Sequence, residues 1–140
     1  MQGASNLNNY FKTSIIMPRV VHFEIVANDS KSAKEFYEAV FGWEFNQLDG
    51  QEYWVIKTGE DSQPGINGGL TGKDPHSSDP SSRITNTIDV PSIEDFSKKI
   101  IAKGGKVMAK IPIPNMGLLA ICKDNEGISF GILQKDPNAK

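Results

Sequence analysis

His22 is the residue of this chain best suited to chemistry. An imidazole titrates near neutral pH, so inside a partly dry cleft it can take a proton, give one or hold a hydrogen bond. Two residues on, Glu24 falls on the same side of an extended segment, because strand side chains alternate. A carboxylate at that spacing can tune the imidazole, which makes His22 and Glu24 the catalytic candidates. The same two residues are also readable as a structural hydrogen bond within a strand, and both readings stand at this point.

The remaining chemistry-bearing residues divide by setting. Thr85, Thr87 and Asp89 occupy the polar side of a second alternating segment, and Ser129 and Leu133 lie in the last one, so these five are candidates to orient and cover a bound molecule. Tyr53 and Trp54 must point to opposite sides of one strand; one packs under a helix and the other can stack on a flat ligand, the role assigned here to Trp54. His76 sits beside Pro75 among turn formers and reads as solvated, and Cys122 lies in an apolar strand and reads as a buried structural thiol. Pro64 to Gly69 is glycine-rich but has neither the G-x-G-x-x-G nor the Walker A spacing, so its glycines read as a bend or a close approach.

The elements that carry these residues occur twice. Val20 to Ala27 alternates, with Val21, Phe23 and Ile25 on one side and His22, Glu24 and Val26 on the other; a helix follows from Ser30 to Phe41, with Ala33, Phe36, Tyr37, Val40 and Phe41 on one stripe, Ser32 and Glu35 able to form a capping box, and Gly42 as the stop. Strands are expected at Trp43 to Leu48, Glu52 to Lys57 and Gly65 to Thr71. Ile84 to Val90 begins the second copy, about 63 residues later, followed by a helix from Ser92 carrying Ile93, Phe96, Ile100 and Ile101. Strands at Lys106 to Ile111, Met116 to Lys123 and Ile128 to Gln134 complete it, the last two joined by the Asp124-Asn125-Glu126-Gly127 turn. The expected organisation is an arm at 1–17 followed by a single domain at 18–140, built from a first βαβββ module at about 18–72, a linker at 73–82 and a second module at about 83–136.

Bulk properties narrow the partners. A net charge of −2 and interspersed acids and bases exclude the electrostatic footprint of a nucleic-acid or anionic-membrane binder. The lysines at 98, 99, 103, 106 and 110 read as a solvated face, since several fall opposite Ile93, Phe96 and Ile100. A single cysteine excludes a disulfide framework and a cysteine zinc cluster and suits a reducing compartment. The first 18 residues have no basic region ahead of an apolar run, so neither a signal peptide nor an anchor is expected, and the chain is expected in the cytoplasm.

Paired βαβββ modules, His22 seven residues before Asp29, Phe36-Tyr37 followed by Phe41-Gly42-Trp43, and the Asp124 to Gly127 turn before Phe130 to Gln134 together resemble the vicinal oxygen chelate superfamily. That superfamily includes glyoxalase I, bleomycin-resistance proteins and extradiol dioxygenases. The resemblance runs from Val20 to Gln134 and implies an α+β fold in which two modules form a cup-shaped, eight-stranded mixed sheet, in a homodimer that binds a small organic molecule in the cup. It also implies metal ligands on the first and last strand of each module. Here His22 occupies one such position, Thr85 stands at its counterpart, Gly65 to Thr71 has no ligating side chain, and Gly131 stands where metal-using relatives carry Glu. A lone imidazole does not hold a hard divalent ion, so the expectation is a binding protein without a cofactor. An antibiotic-binding resistance protein is a subclass of that reading. The alternative is a lyase, isomerase or dioxygenase with a divalent metal on His22, Glu24 and Asp89.

Overall fold

The computed structural model describes residues 18–72 and 83–139. The expected arm at 1–17, the linker at 73–82 and His76 lie outside the described residues. Strand β1 is Arg19–Ala27, helix α1 Ser30–Phe41, and strands β2, β3 and β4 are Glu44–Gln47, Tyr53–Lys57 and Gly68–Gly72. The plan then repeats: β5 Ile84–Asp89, α2 Ile93–Ala102, β6 Lys106–Ile113, β7 Gly117–Lys123 and β8 Ser129–Lys135. The strands make an eight-stranded mixed sheet in the order β2-β3-β4-β1-β5-β8-β7-β6. This is the α+β, twice-βαβββ class expected from the sequence. Val21–Thr87 form one compact unit and the residues from Ile88 onward another.

In the first unit β4 returns parallel to β1, with Glu24 level with Gly69 and Ile25 with Leu70. β3 runs antiparallel to β4, with Trp54 level with Leu70 and Val55 with Gly69. Alternation therefore sends Ile25, Trp54, Ile56 and Leu70 to one side, where Ala27, Trp54, Ile56 and Leu70 form a buried cluster backed by Phe23, Ala33, Trp43 and Phe45. Gly68 is a packing requirement of that core, since a Cβ there would lie 2.6 Å from the Phe23 ring.

The cap of α1 differs from the expected Ser32–Glu35 box. Asp29 is the last extended residue, and its carboxylate accepts from the Ser32 amide at 3.1 Å. Gly42 ends the helix in the left-handed conformation, φ 70°. The apolar stripe is covered only in part. Ser30, Ala33, Lys34 and Tyr37 form the inner side, whereas Phe36 and Phe41 are 57% and 58% exposed. Trp43 stacks on Tyr37, centroids 5.3 Å apart and planes within 3°, and is flanked by Phe41. β4 starts later than expected because side chains replace the ladder before Gly68: Asn67 Oδ1 accepts from the Thr58 amide at 2.9 Å, and Thr58 Oγ1 donates to the Ile66 carbonyl at 2.6 Å.

The second unit has its own core of Val90, Ile93, Ala120, Cys122 and Ile132, with Ile88, Phe96, Ile100, Val107, Leu118 and Phe130 packed around it. Ser92 caps α2 by accepting from the Asp95 amide, and Gln134 Oε1 accepts from the Ile93 amide at 2.9 Å. The Asp124 carboxylate closes the hairpin turn by accepting from the amides of Glu126 and Ile128. Cys122 is fully buried, and burial pushes its thiol pKa up, as suits an inert structural cysteine.

Candidate active site: the His22, Glu24 and Tyr53 cluster

Strand alternation places His22 and Glu24 on the side of β1 opposite the Phe23 and Ile25 core. Their side chains meet, with His22 Nε2 2.7 Å from Glu24 Oε2, and remain 32% and 24% exposed. Tyr53, from β3, donates its hydroxyl to the same Glu24 oxygen at 3.1 Å. Gly69 lies between them in the sheet. A Cβ at Gly69 would collide with the Tyr53 hydroxyl and come within 2.9 Å of Glu24 Oε2, so the bare backbone of β4 is what lets the phenol reach the carboxylate.

The electrostatics of the cluster follow from this geometry. Burial, then the Glu24 charge, then the hydrogen bond to Glu24 all raise the Tyr53 pKa well above the ordinary phenol value. Tyr53 is thus a neutral donor. An imidazole nitrogen this close to a carboxylate carries a proton, so in the neutral ring Nδ1 is the lone-pair nitrogen. The result is a carboxylate-backed imidazole whose Nδ1 forms no hydrogen bond among the described residues, a geometry in which an imidazole can exchange a proton with a bound molecule.

Other sequence candidates are placed differently. Trp54 is 6% exposed within the core, on the side opposite Glu24, so the aromatic group of the polar face is Tyr53 and the stacking role assigned to Trp54 is corrected. Thr85 and Thr87 are half-buried on β5. Asp89 pairs with Lys135 at 3.4 Å, Ser129 is buried, and Leu133 is buried with its carbonyl accepting from the Val90 amide. Tyr53 and Gly69 are the site residues that the sequence reading did not select. The only signal available for them was the pairing of β3 with β4 and β1, a long-range property.

The residues do not fit the metal centre that the fold implies. Of the implied ligand positions only His22 carries a donor, while Thr85, the glycine-rich β4 and Gly131 stand at the others. Among the described residues no three His, Cys, Asp or Glu side chains come together as a metal-binding group. An open hollow of about 590 Å³ lies elsewhere, at the N-terminus of α1, bordered by Asn28, Asp29, Ser30, Gln47, Glu52 and Trp54. Its buried hydroxyl, Ser30, already donates to Glu52 at 2.5 Å, which leaves the hollow without an unpaired buried group.

Residues 19–59 match the family described as bleomycin resistance protein-like N-terminal. The fold is shared over nearly the full length with solved structures. A glyoxalase/bleomycin resistance protein/dioxygenase superfamily member from Vibrio splendidus 12B01 is 19% identical, with 86% of this chain and 100% of that one covered at a TM-score of 0.60. The first module thus resembles the bleomycin resistance protein-like family, and the chain as a whole shares the fold of glyoxalase/bleomycin resistance protein/dioxygenase superfamily structures. Methylmalonyl-CoA epimerase from Mycobacterium tuberculosis is 14% identical, with 84% and 88% of the two chains covered and a TM-score of 0.59. The Streptomyces coelicolor methylmalonyl-CoA epimerase in complex with 2-nitronate-propionyl-CoA is 17% identical, with 87% and 97% covered and a TM-score of 0.54. A comparison with curated protein sequences finds no match. Among the described residues, no helix is long and apolar enough to cross a membrane.

Proposed function

We propose that this chain binds a small organic molecule through the polar cluster of its first module, without a metal ion. The observation that carries the reading is the convergence of His22 Nε2 and the Tyr53 hydroxyl on one oxygen of Glu24, over a glycine that makes the contact feasible. A half-exposed, internally braced cluster of this kind spends folding energy on polar groups that a purely structural sheet would replace with apolar ones. Thr85 and Thr87 are assigned secondary polar contacts, a homodimer is part of the same reading, and its single buried thiol suits the cytoplasm. The test is a thermal-shift and calorimetric screen of alcohols, amines, carboxylates and acyl-CoA thioesters against metal-stripped protein. Binding that persists with a chelator and weakens by about tenfold in Glu24→Gln is expected. Strict dependence on an added divalent ion overturns the metal-free reading.

A second reading, proton transfer to and from the bound molecule, is favoured by the 2.7 Å approach of His22 to Glu24. The epimerases among the solved structures of this fold support it as a class of chemistry. In this reading Nδ1 of His22 is the base and Glu24 stabilises the imidazolium that forms. Deuterium exchange into a bound acyl-CoA thioester in D₂O, slowed about 10²–10⁴-fold in His22→Gln, is the expected signature. Exchange at the wild-type rate in that variant would exclude His22 as the base.

A further inference from the structure

The hydrogen-bond inventory of the cluster carries a statement about which head group it takes, and that statement rests on the reading of this face as a binding site. Tyr53 has one proton to donate, and it goes to Glu24. The Nε2 proton of His22 goes to the same oxygen. Among the described residues no hydrogen-bond partner is formed by His22 Nδ1 or by Glu24 Oε1. With the imidazole neutral, every proton of the cluster is used internally, and what remains facing outward is a set of lone pairs: Nδ1, Oε1 and those of the phenol oxygen. A thirsty set of acceptors rejects a ligand that brings only acceptors, because their lone pairs would face one another without a proton between them.

The neighbours on this side of the sheet add the other half. Thr71 has its hydroxyl tied to the Glu52 carbonyl at 3.0 Å and so supplies no free donor. Val55, level with Gly69 and two residues from Tyr53, is 41% exposed and offers apolar surface beside the cluster. We propose that the His22, Glu24 and Tyr53 cluster selects ligands by the hydrogen bonds they donate: its head group is an ammonium or a hydroxyl on a small apolar body, not a carboxylate or an ether oxygen. Charge adds to the same preference, since ionised Glu24 attracts an ammonium and repels a carboxylate.

Four probes that share one apolar body separate donor capacity from charge: benzylammonium, benzyl alcohol, benzyl methyl ether and benzoate. They are titrated into isotope-labelled full-length protein at mildly alkaline pH, and the backbone amide shifts of residues 22–24, 53–55 and 69 are followed. The expected result is saturable shifts with benzylammonium and benzyl alcohol, and binding at least about tenfold weaker with the ether and with benzoate. Glu24→Gln puts an amide donor into the cluster and should lower the benzylammonium affinity by about tenfold while improving that of benzoate. Should that variant fail to fold, Tyr53→Phe removes an internal donor and leaves Glu24 with more spare acceptor capacity, so benzylammonium binding is retained or strengthened. Ether or benzoate bound at these amides as tightly as the alcohol overturns the donor-selective proposal and leaves the binding site standing. No shift at these amides with any of the four overturns the binding reading as well.

Discussion

In the first repeat, the side of the sheet away from α1 presents His22, Glu24 and Tyr53; in the second, the matching places hold very different groups. Thr85 and Thr87 stand about 63 residues after His22 and Glu24. Aligning the two paired glycines, Gly69 opposite Val55 and Gly131 opposite Ile121, puts Leu119 and Leu133 where the first repeat has Tyr53 and Thr71. The charged groups on this part of the second repeat, Asp89 and Lys135, satisfy each other at 3.4 Å. The helix-facing sides, in contrast, are chemically alike: Ala27, Trp54, Ile56 and Leu70 in one unit, Val90, Ile93, Ala120 and Ile132 in the other. A helix packed on a sheet demands apolar volume, so that side keeps its character in both copies. On the opposite side the copies differ: one has a hydrogen-bonded His–Glu–Tyr cluster, and the other has two leucines, two threonines and an ion pair.

Substitutions that erase or expose this asymmetry differ in size. Gly69→Ala should have the largest effect. The new methyl group would displace the Tyr53 hydroxyl and crowd Glu24, at a cost of about 1–3 kcal/mol in urea unfolding together with loss of ligand binding. A neutral result would mean that the phenol swings away without penalty and that the cluster is loosely held. Tyr53→Phe comes next, at about 1 kcal/mol near neutral pH for a lost hydrogen bond to a carboxylate.

The pH dependence of Tyr53 has a definite sign. Its folded-state pKa lies above the unfolded value, so its contribution is fully present below the ordinary phenol pKa and is lost as pH rises through the alkaline range. Absorbance titration should therefore show one of the three tyrosines ionising late, and Glu24→Gln should bring that step back down. The smallest effect belongs to the second repeat. Asp89→Asn breaks an ion pair with partly exposed partners and should cost no more than about 0.5 kcal/mol, fading with added salt. A loss as large as that of Tyr53→Phe would show that the second repeat too depends on a polar contact.

Much of this molecule was legible one stretch at a time. The strand–helix–strand order, Asp29 and Ser92 at helix entries, Gly42 at a helix exit and the Asp124 to Gly127 turn are matters of a few neighbouring residues, and there sequence and structure agree closely. Even the His22 and Glu24 contact belongs here, because residues two apart on a strand are side by side whatever the rest of the chain does. The Ser32–Glu35 box failed for an equally local reason: Asp29, one turn earlier, takes the amide of Ser32.

Non-local relations settled the rest. Alternation says that Tyr53 and Trp54 face opposite ways, but which one joins Glu24 depends on the register of β3 against β4 and of β4 against β1. The role of Gly69 is likewise invisible until two strands far apart in the chain bring a phenol and a carboxylate to its flanks. Phe36 and Phe41 lie on the apolar stripe of α1 yet remain exposed, since periodicity gives the direction of a side chain and not the extent of what covers it. Local geometry and alternation made the elements and the His22–Glu24 contact readable from the order of residues. The third member of the cluster, and the glycine that admits it, required strands to be brought into register, because hydrogen bonds between distant segments decide which side chains share a face.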